Sequence, residues 1–226
     1  MKILFISLGC DKNLADSEEM LGLLTGNGHE IVDSEEEADA IVINTCCFIH
    51  DAKEESVNTI LEMAEYKKTG TCKILIVTGC MAQRYKEEIT KEIPEVDAVL
   101  GTTSYGDIVK ALNEAEAGHV FQEFKDINAL PEDSGRRVIT TGGHFGYLKI
   151  AEGCDKHCTY CIIPSLRGKF RSVPEERLLK QAEYMASQGV RELILVAQET
   201  TVYGTDLYGK KTLHILLKKL CQIKGI

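Results

Sequence analysis

Apolar positions in the first half of the chain follow two alternating patterns. Short, nearly continuous runs read as strands buried on both faces: "KILFISL" from Lys2, "DAIVIN" from Asp39, "KILIVTG" from Lys73 and "DAVLG" from Asp97, with "HEIVD" from His29 as a shorter one. Between them, apolar residues recur at helical spacing in "LADSEEMLGLLTG" from Leu14, "AKEESVNTILEMAEYKK" from Ala52, "AQRYKEEITKEI" from Ala82 and "YGDIVKALNEAEA" from Tyr105. Strands of this kind separated by helices predict an α/β domain over residues 1–117, built on a doubly wound, mostly parallel sheet.

The rhythm fails over residues 118–139, "GHVFQEFKDINALPEDSGRRVI", where Pro, Gly and mixed charges predict a connection between domains. It resumes at residue 140. The strand "YLKIA", the helix "PEERLLKQAEYMASQG", the strand "ELILVAQ" and a helix in "TLHILLKKLCQI" predict the first βα units of a second domain over 140–226. A full βα barrel takes roughly 200 residues or more, so this domain reads as an incomplete one, and the chain as a fragment or as a protein whose remaining strands come from elsewhere.

Charge and cysteine content narrow the function. A net charge of −9 argues against a broad nucleic-acid surface and for a basic protein partner. No run reaches the length of a membrane span, and the opening "MKILFISLGC" reads as a buried strand rather than a signal peptide, which predicts a cytoplasmic protein. Disulfides are disfavoured there, so nine cysteines ask for metal or redox chemistry.

Six of the cysteines are placed suggestively. Cys10, Cys46 and Cys80 each lie just past the carboxyl end of a predicted strand, the edge at which open α/β sheets bind ligands. Gly9 and Gly79 beside them are expected to leave room for a bulky inorganic group. The opening turn "SLGCDKN" lacks the glycine fingerprint of a dinucleotide site. Cys154, Cys158 and Cys161 form the loop "CDKHCTYC" after a strand. A zinc site would add a fourth Cys or His, and His157 lies inside the loop. Three thiolates on one short loop suit a cuboidal iron–sulfur cluster with one iron left open. Zinc and an inert thiol loop remain the alternatives. Cys47, Cys72 and Cys221 lack such placement and read as structural, although Cys47 is near enough to Cys46 to compete as a ligand.

The C-x-x-x-C-x-x-C spacing with Tyr160 before its last cysteine resembles the signature of the radical S-adenosylmethionine superfamily. With Cys10, Cys46 and Cys80 upstream, the whole chain resembles that superfamily's methylthiotransferase family, whose members continue into the rest of the barrel and a C-terminal TRAM domain. The stretches "SLGCDKNLADSEE", "KIAEGC", "IPSLRGKFRS" and "LVAQETTVYGTDLYG" are similar to the branch that modifies ribosomal protein. The tRNA-modifying branch instead reads "GCQMN" and "GQNVN". "NTCCFI" departs from the family, which more usually has glycine where Cys47 stands.

The resemblance implies two 4Fe-4S clusters, one on Cys10, Cys46 and Cys80 and one on Cys154, Cys158 and Cys161. It implies S-adenosylmethionine as cofactor, with Tyr160 and Gln198 lining its pocket. The implied reaction adds a methylthio group to the β-carbon of an aspartate in a small-subunit ribosomal protein: a 5′-deoxyadenosyl radical abstracts hydrogen and the upstream cluster presents methylated sulfur. A flavodoxin or ferredoxin would be the reductant, and nucleic acid would be met only through the ribosome or a further C-terminal domain. A tRNA methylthiotransferase and a non-catalytic iron–sulfur electron-transfer module are the competing readings. Arg167, Lys169 and Arg171 form a basic run expected to be solvated or to bind a carboxylate.

Overall fold

The computed structural model describes residues 1–132 and 135–226, so Asp133 and Ser134 of the expected connection lie outside the described residues. The chain divides into two compact units, Met1–Arg137 and Val138–Ile226.

In the first unit, β1 (Lys2–Ser7), β2 (Glu30–Val32), β3 (Ala40–Thr45), β4 (Ile74–Gly79), β5 (Ala98–Leu100) and β6 (Phe121–Glu123) form one sheet in the order β2-β1-β3-β4-β5-β6. Every pairing is parallel. The register aligns Ser7 with Asn44, Asn44 with Thr78 and Thr45 with Gly79, so β1, β3 and β4 end at one level. Helices α1 (Asp11–Gly26), α2 (His50–Thr69), α3 (Cys80–Glu92) and α4 (Ile108–Glu116) supply the crossovers. Ile3, Val42, Ile76 and Leu100 pack with Met20 and Leu24 of α1 and Ile108 and Leu112 of α4. The alternate residues Ile41, Ile43, Leu75 and Val77 are equally buried, and strand alternation turns them to the opposite face, the side of α2 and α3. Each such aliphatic side chain contributes about 1.5–3 kcal/mol. Chain direction around the sheet reverses between β1 and β3, and a crevice outside the carboxyl ends opens at such a point.

Two features of this unit differ from the sequence reading. Helix α1 begins at Asp11, a turn earlier than its apolar spacing indicates, because polar residues are buried on it as well: Asn13, Asp16, Ser17, Glu18 and Glu19 are all enclosed. And residues 118–139 are not only a connection. Three of them, Phe121–Glu123, add β6 to the edge of the sheet; a strand this short carries too few apolar positions to announce itself. Further on, the backbone at Arg136 lies flat on Gly22, where a Cβ would come within 2.7 Å of it. Arg137 then donates from Nε and Nη2 to Glu18 Oε2 at 2.8 and 2.5 Å, with 7% and 0% of the two side chains exposed.

The second unit pairs β7 (Phe145–Lys149) with β10 (Glu192–Val196) in parallel, joined through α6 (Glu175–Ser187). The short strands β8 (Ala151–Glu152) and β9 (Arg171–Ser172) pair antiparallel around α5 (Ile163–Arg167). Leu178, Ala182 and Met185 of α6 are buried, as are Leu216 and Leu220 of the last helix, α8 (Leu213–Leu220), which follows the single turn α7 (Thr205–Tyr208). Among the described residues no helix is long and apolar enough to cross a membrane.

Glu18 is a carboxylate in the interior that the Arg137 guanidinium answers. Arg137→Ala is expected to cost about 3–5 kcal/mol, because it strands that charge, and Glu18→Ala/Arg137→Ala to recover part of the loss. Urea midpoints of the two variants check this; equal midpoints for Arg137→Ala and the unaltered protein would remove the pair from the account.

Candidate cysteine centres

The first centre is built at the carboxyl edge of the parallel sheet. Cys10 is the residue before the first turn of α1, Cys46 follows β3 directly, and Cys80 is the first residue of α3. Asn13 lies among them. Its Nδ2 donates to Leu8 O and to Thr45 O, each at 3.0 Å, and its Oδ1 accepts from Cys80 Sγ at 3.9 Å. Ser56 on α2 fixes the backbone of Cys46 from the other side, accepting from Cys46 N at 3.0 Å and donating to Cys46 O at 2.8 Å. Asn44 completes the frame by donating to Asn13 O and to Ser17 Oγ, each at 2.9 Å.

Cys46 and Cys80 are buried and Cys10 is exposed. A Cβ on Gly9 would meet Cys46 Cβ at 2.7 Å and Sγ at 3.1 Å, and both Gly9 and Gly79 have φ of +93°. One on Gly79 would strike Asn44 Oδ1 and come within 2.5 Å of Thr45 O. The two glycines therefore make room for neighbouring protein and let the three strand ends close on one another. Cys47 is buried in the same place, beside Cys80, Cys46 and the Arg84 guanidinium; burial pushes its thiol up to about 11, with the neighbouring thiols adding to the rise and Arg84 opposing it. Cys72 is buried on a sulfur contact to Ile74 O, and Cys221 is exposed.

The second set lies on the loop between β8 and α5. Cys154 and Cys161 are half-buried, Cys158 is exposed, and Cys161 N donates to Cys158 O at 3.0 Å. The loop is pinched at its base. Cys154 N donates to Gly168 O at 3.1 Å, Phe170 N donates to Asp155 Oδ1 at 3.0 Å, and Gly153, at φ +71°, presses against the backbone of Gly168 and Lys169. Beneath the pinch is a buried ionic group: Lys149 Nζ and Arg167 Nη1 lie 2.5 and 3.4 Å from Glu152 Oε1. Burial alone would push the Glu152 carboxyl up, but the charges of Lys149 and Arg167 outweigh it and hold the group at about 2. Arg167 is thus an interior residue, 3% exposed, rather than part of a solvated basic run; its carboxylate is Glu152, in the strand before the loop.

Lys156, inside the loop, pairs with Glu199, which its hydrogen bond and that of Thr201 lower to about 2. Next to Glu199, the Gln198 side chain has both amide atoms buried and neither hydrogen-bonded. A buried amide without partners is costly, so its donor and acceptor fit a polar ligand at that place. The Tyr160 ring is 88% exposed. Among the described residues no three His, Cys, Asp or Glu side chains are drawn together as a bound metal ion would need. The donor set of each, three thiols, fits an iron–sulfur cluster.

Known proteins bear on both units. Residues 2–101 match the model of Uncharacterized protein family UPF0004, and residues 148–225 match the Radical SAM superfamily. The chain thus carries a UPF0004 region followed by a Radical SAM region. Membership of the superfamily implies a 4Fe-4S cluster and S-adenosylmethionine as cofactors. Over its whole length the chain is 66% identical to ribosomal protein uS12 methylthiotransferase RimO of Lachnoclostridium phytofermentans and 51% identical to that of Clostridioides difficile. It spans about half of the curated relatives it matches, 51% of each of these two. Among solved structures, the cobalamin-dependent S-adenosylmethionine radical enzyme OxsB, with aqua-cobalamin and S-adenosylmethionine bound, has a similar fold: TM-score 0.55, 15% identity, 98% of this chain and 36% of that one.

Sequence reasoning missed Asn13, Ser56 and Glu152. Glu152 had a signal, a carboxylate at the end of an apolar strand. Asn13→Ala is expected to leave the carbonyls of Leu8 and Thr45 unanswered and to cost about 2–4 kcal/mol. Its midpoint in urea and its iron content after reconstitution measure this, and unchanged values for both would deny Asn13 its part in the edge.

Proposed function

We propose that this protein transfers a methylthio group to the β-carbon of an aspartate in ribosomal protein uS12. The observation that carries the reading is the combination of a three-cysteine sheet edge in a UPF0004-type unit with the pinched C-x-x-x-C-x-x-C loop of a radical SAM unit. Cys154, Cys158 and Cys161 would hold the radical cluster, and Cys10, Cys46 and Cys80 a second one. Gln198, through its unpartnered amide, and Tyr160, through its exposed ring, would contact S-adenosylmethionine. When bound, cluster and cofactor supply a one-electron reduction and hydrogen-atom abstraction, which no side chain here can perform on an unactivated carbon.

The protein's own contribution is placement. The Glu152 ionic group and the Cys154–Gly168 bond hold the base of the loop, so that Cys158 and Cys161 project from a fixed neck. Helices α1 and α3 turn their first N–H groups, uncapped by any side chain, toward the edge where an anionic core would sit. The acidic chain suits a basic ribosomal protein, and a flavodoxin or ferredoxin would deliver the electron.

In full-length protein, Cys158→Ala is expected to abolish 5′-deoxyadenosine formation while about half of the iron and sulfide stays bound on the first cysteine set. Unchanged cofactor cleavage would end the assignment of this loop. Mass spectrometry of a deletion strain should find uS12 lacking the methylthio mass, and a loss confined to tRNA would move the protein to the other branch.

A further inference from the structure

Two cations stand without a counter-ion at the rim of the first cysteine centre. Lys53 belongs to the first turns of α2, the helix that follows Cys46 and Cys47, and Arg84 to the first turns of α3, which starts at Cys80. The Tyr85 ring gathers both, with Lys53 Nζ 5.0 Å and the Arg84 guanidinium carbon 5.2 Å from its centroid. Arg84 is exposed and also lies beside the buried Cys47 thiol. Among the described residues neither Lys53 nor Arg84 has a carboxylate partner, as is also true of Lys12, Lys73, Lys86 and Lys110 in this unit; what sets the pair apart is that one ring at the cysteine edge gathers both.

We propose that Arg84, steadied by Tyr85 and seconded by Lys53, receives the carboxylate of the target residue and so selects aspartate over its amide. The inference rests on the function proposed above and adds a specificity residue to it. The carbon to be modified is bonded directly to that carboxylate, so the group that holds the carboxylate also sets the distance of the carbon from the cysteine edge. A guanidinium presents two parallel donors that match the two oxygens of a carboxylate; the amide of asparagine would turn its own N–H donors against them. The ring under Arg84 limits where the planar fork can point, which a flexible lysine alone would not do.

The test uses full-length protein with both clusters reconstituted and two synthetic uS12 peptides, one with aspartate and one with asparagine at the target position. Arg84→Gln is expected to raise KM for the aspartate peptide about tenfold or more, to erase the preference over asparagine, and to leave iron content and peptide-independent 5′-deoxyadenosine formation unchanged. Arg84→Lys should restore part of the preference, and Lys53→Gln should reduce it less than Arg84→Gln does. An Arg84→Gln protein that keeps the full aspartate preference would overturn the inference, and one that loses iron would overturn it too, by making Arg84 a support of the cluster site. If the unaltered enzyme cleaves its cofactor but modifies neither peptide, the proposed function itself fails.

Discussion

The first cysteine edge depends on one side chain. Asn13 gives its two N–H donors to the ends of β1 and β3 and takes the Cys80 thiol at the start of α3. Those three segments come from distant parts of the sequence; two present backbone carbonyls, of Leu8 and Thr45, and the third a thiol. A carboxamide is the group that meets this need, since it offers two donors and an acceptor from one small plane. The glycines on either side follow from the same constraint. Gly9 and Gly79 have no Cβ because Cys46 and the Asn44–Thr45 segment occupy that space, and their positive φ turns the chain sharply from strand into helix.

The second unit reaches a comparable end by other means. Its cysteines lie within one loop, so the fold must hold a single neck rather than converge three strands. A salt-linked interior, Glu152 between Lys149 and Arg167, does this beneath a backbone pinch. Buried ion groups of this kind specify arrangement more than they add stability, because taking the charges out of water costs about what their attraction returns. Both units thus place buried polar groups behind the cysteines and leave part of each set open to solvent: Cys10 in one and Cys158 in the other.

Much of this was legible in the sequence. Buried parallel strands announce themselves by continuous apolar runs, so "DAIVIN" and "KILIVTG" could be placed with the cysteines at their carboxyl ends. The loop "CDKHCTYC" is local and its spacing survives any tertiary context. What could not be read were contacts that depend on tertiary approach. The outward face of α1 is polar by composition, yet it is buried, because the chain near Arg136 and Arg137 returns to cover it from more than a hundred positions away. Arg167 sits in a run of basic residues and is nevertheless interior, since its partner lies across a two-residue strand pair. The glycines could be singled out but not their neighbours: the sequence tells that a side chain is missing there, not that Cys46 and the Asn44–Thr45 segment stand beside it.

The return of the chain over α1 bears on how the first unit would be excised. A piece cut at Ala117, where the helical rhythm ends, would forgo the outermost strand and open the flank of the helix that starts beside Cys10. Its interior glutamate would then lose the Arg137 guanidinium. A piece carried through Arg137 keeps both, and is the shortest N-terminal module in which the cysteine edge retains its full scaffold.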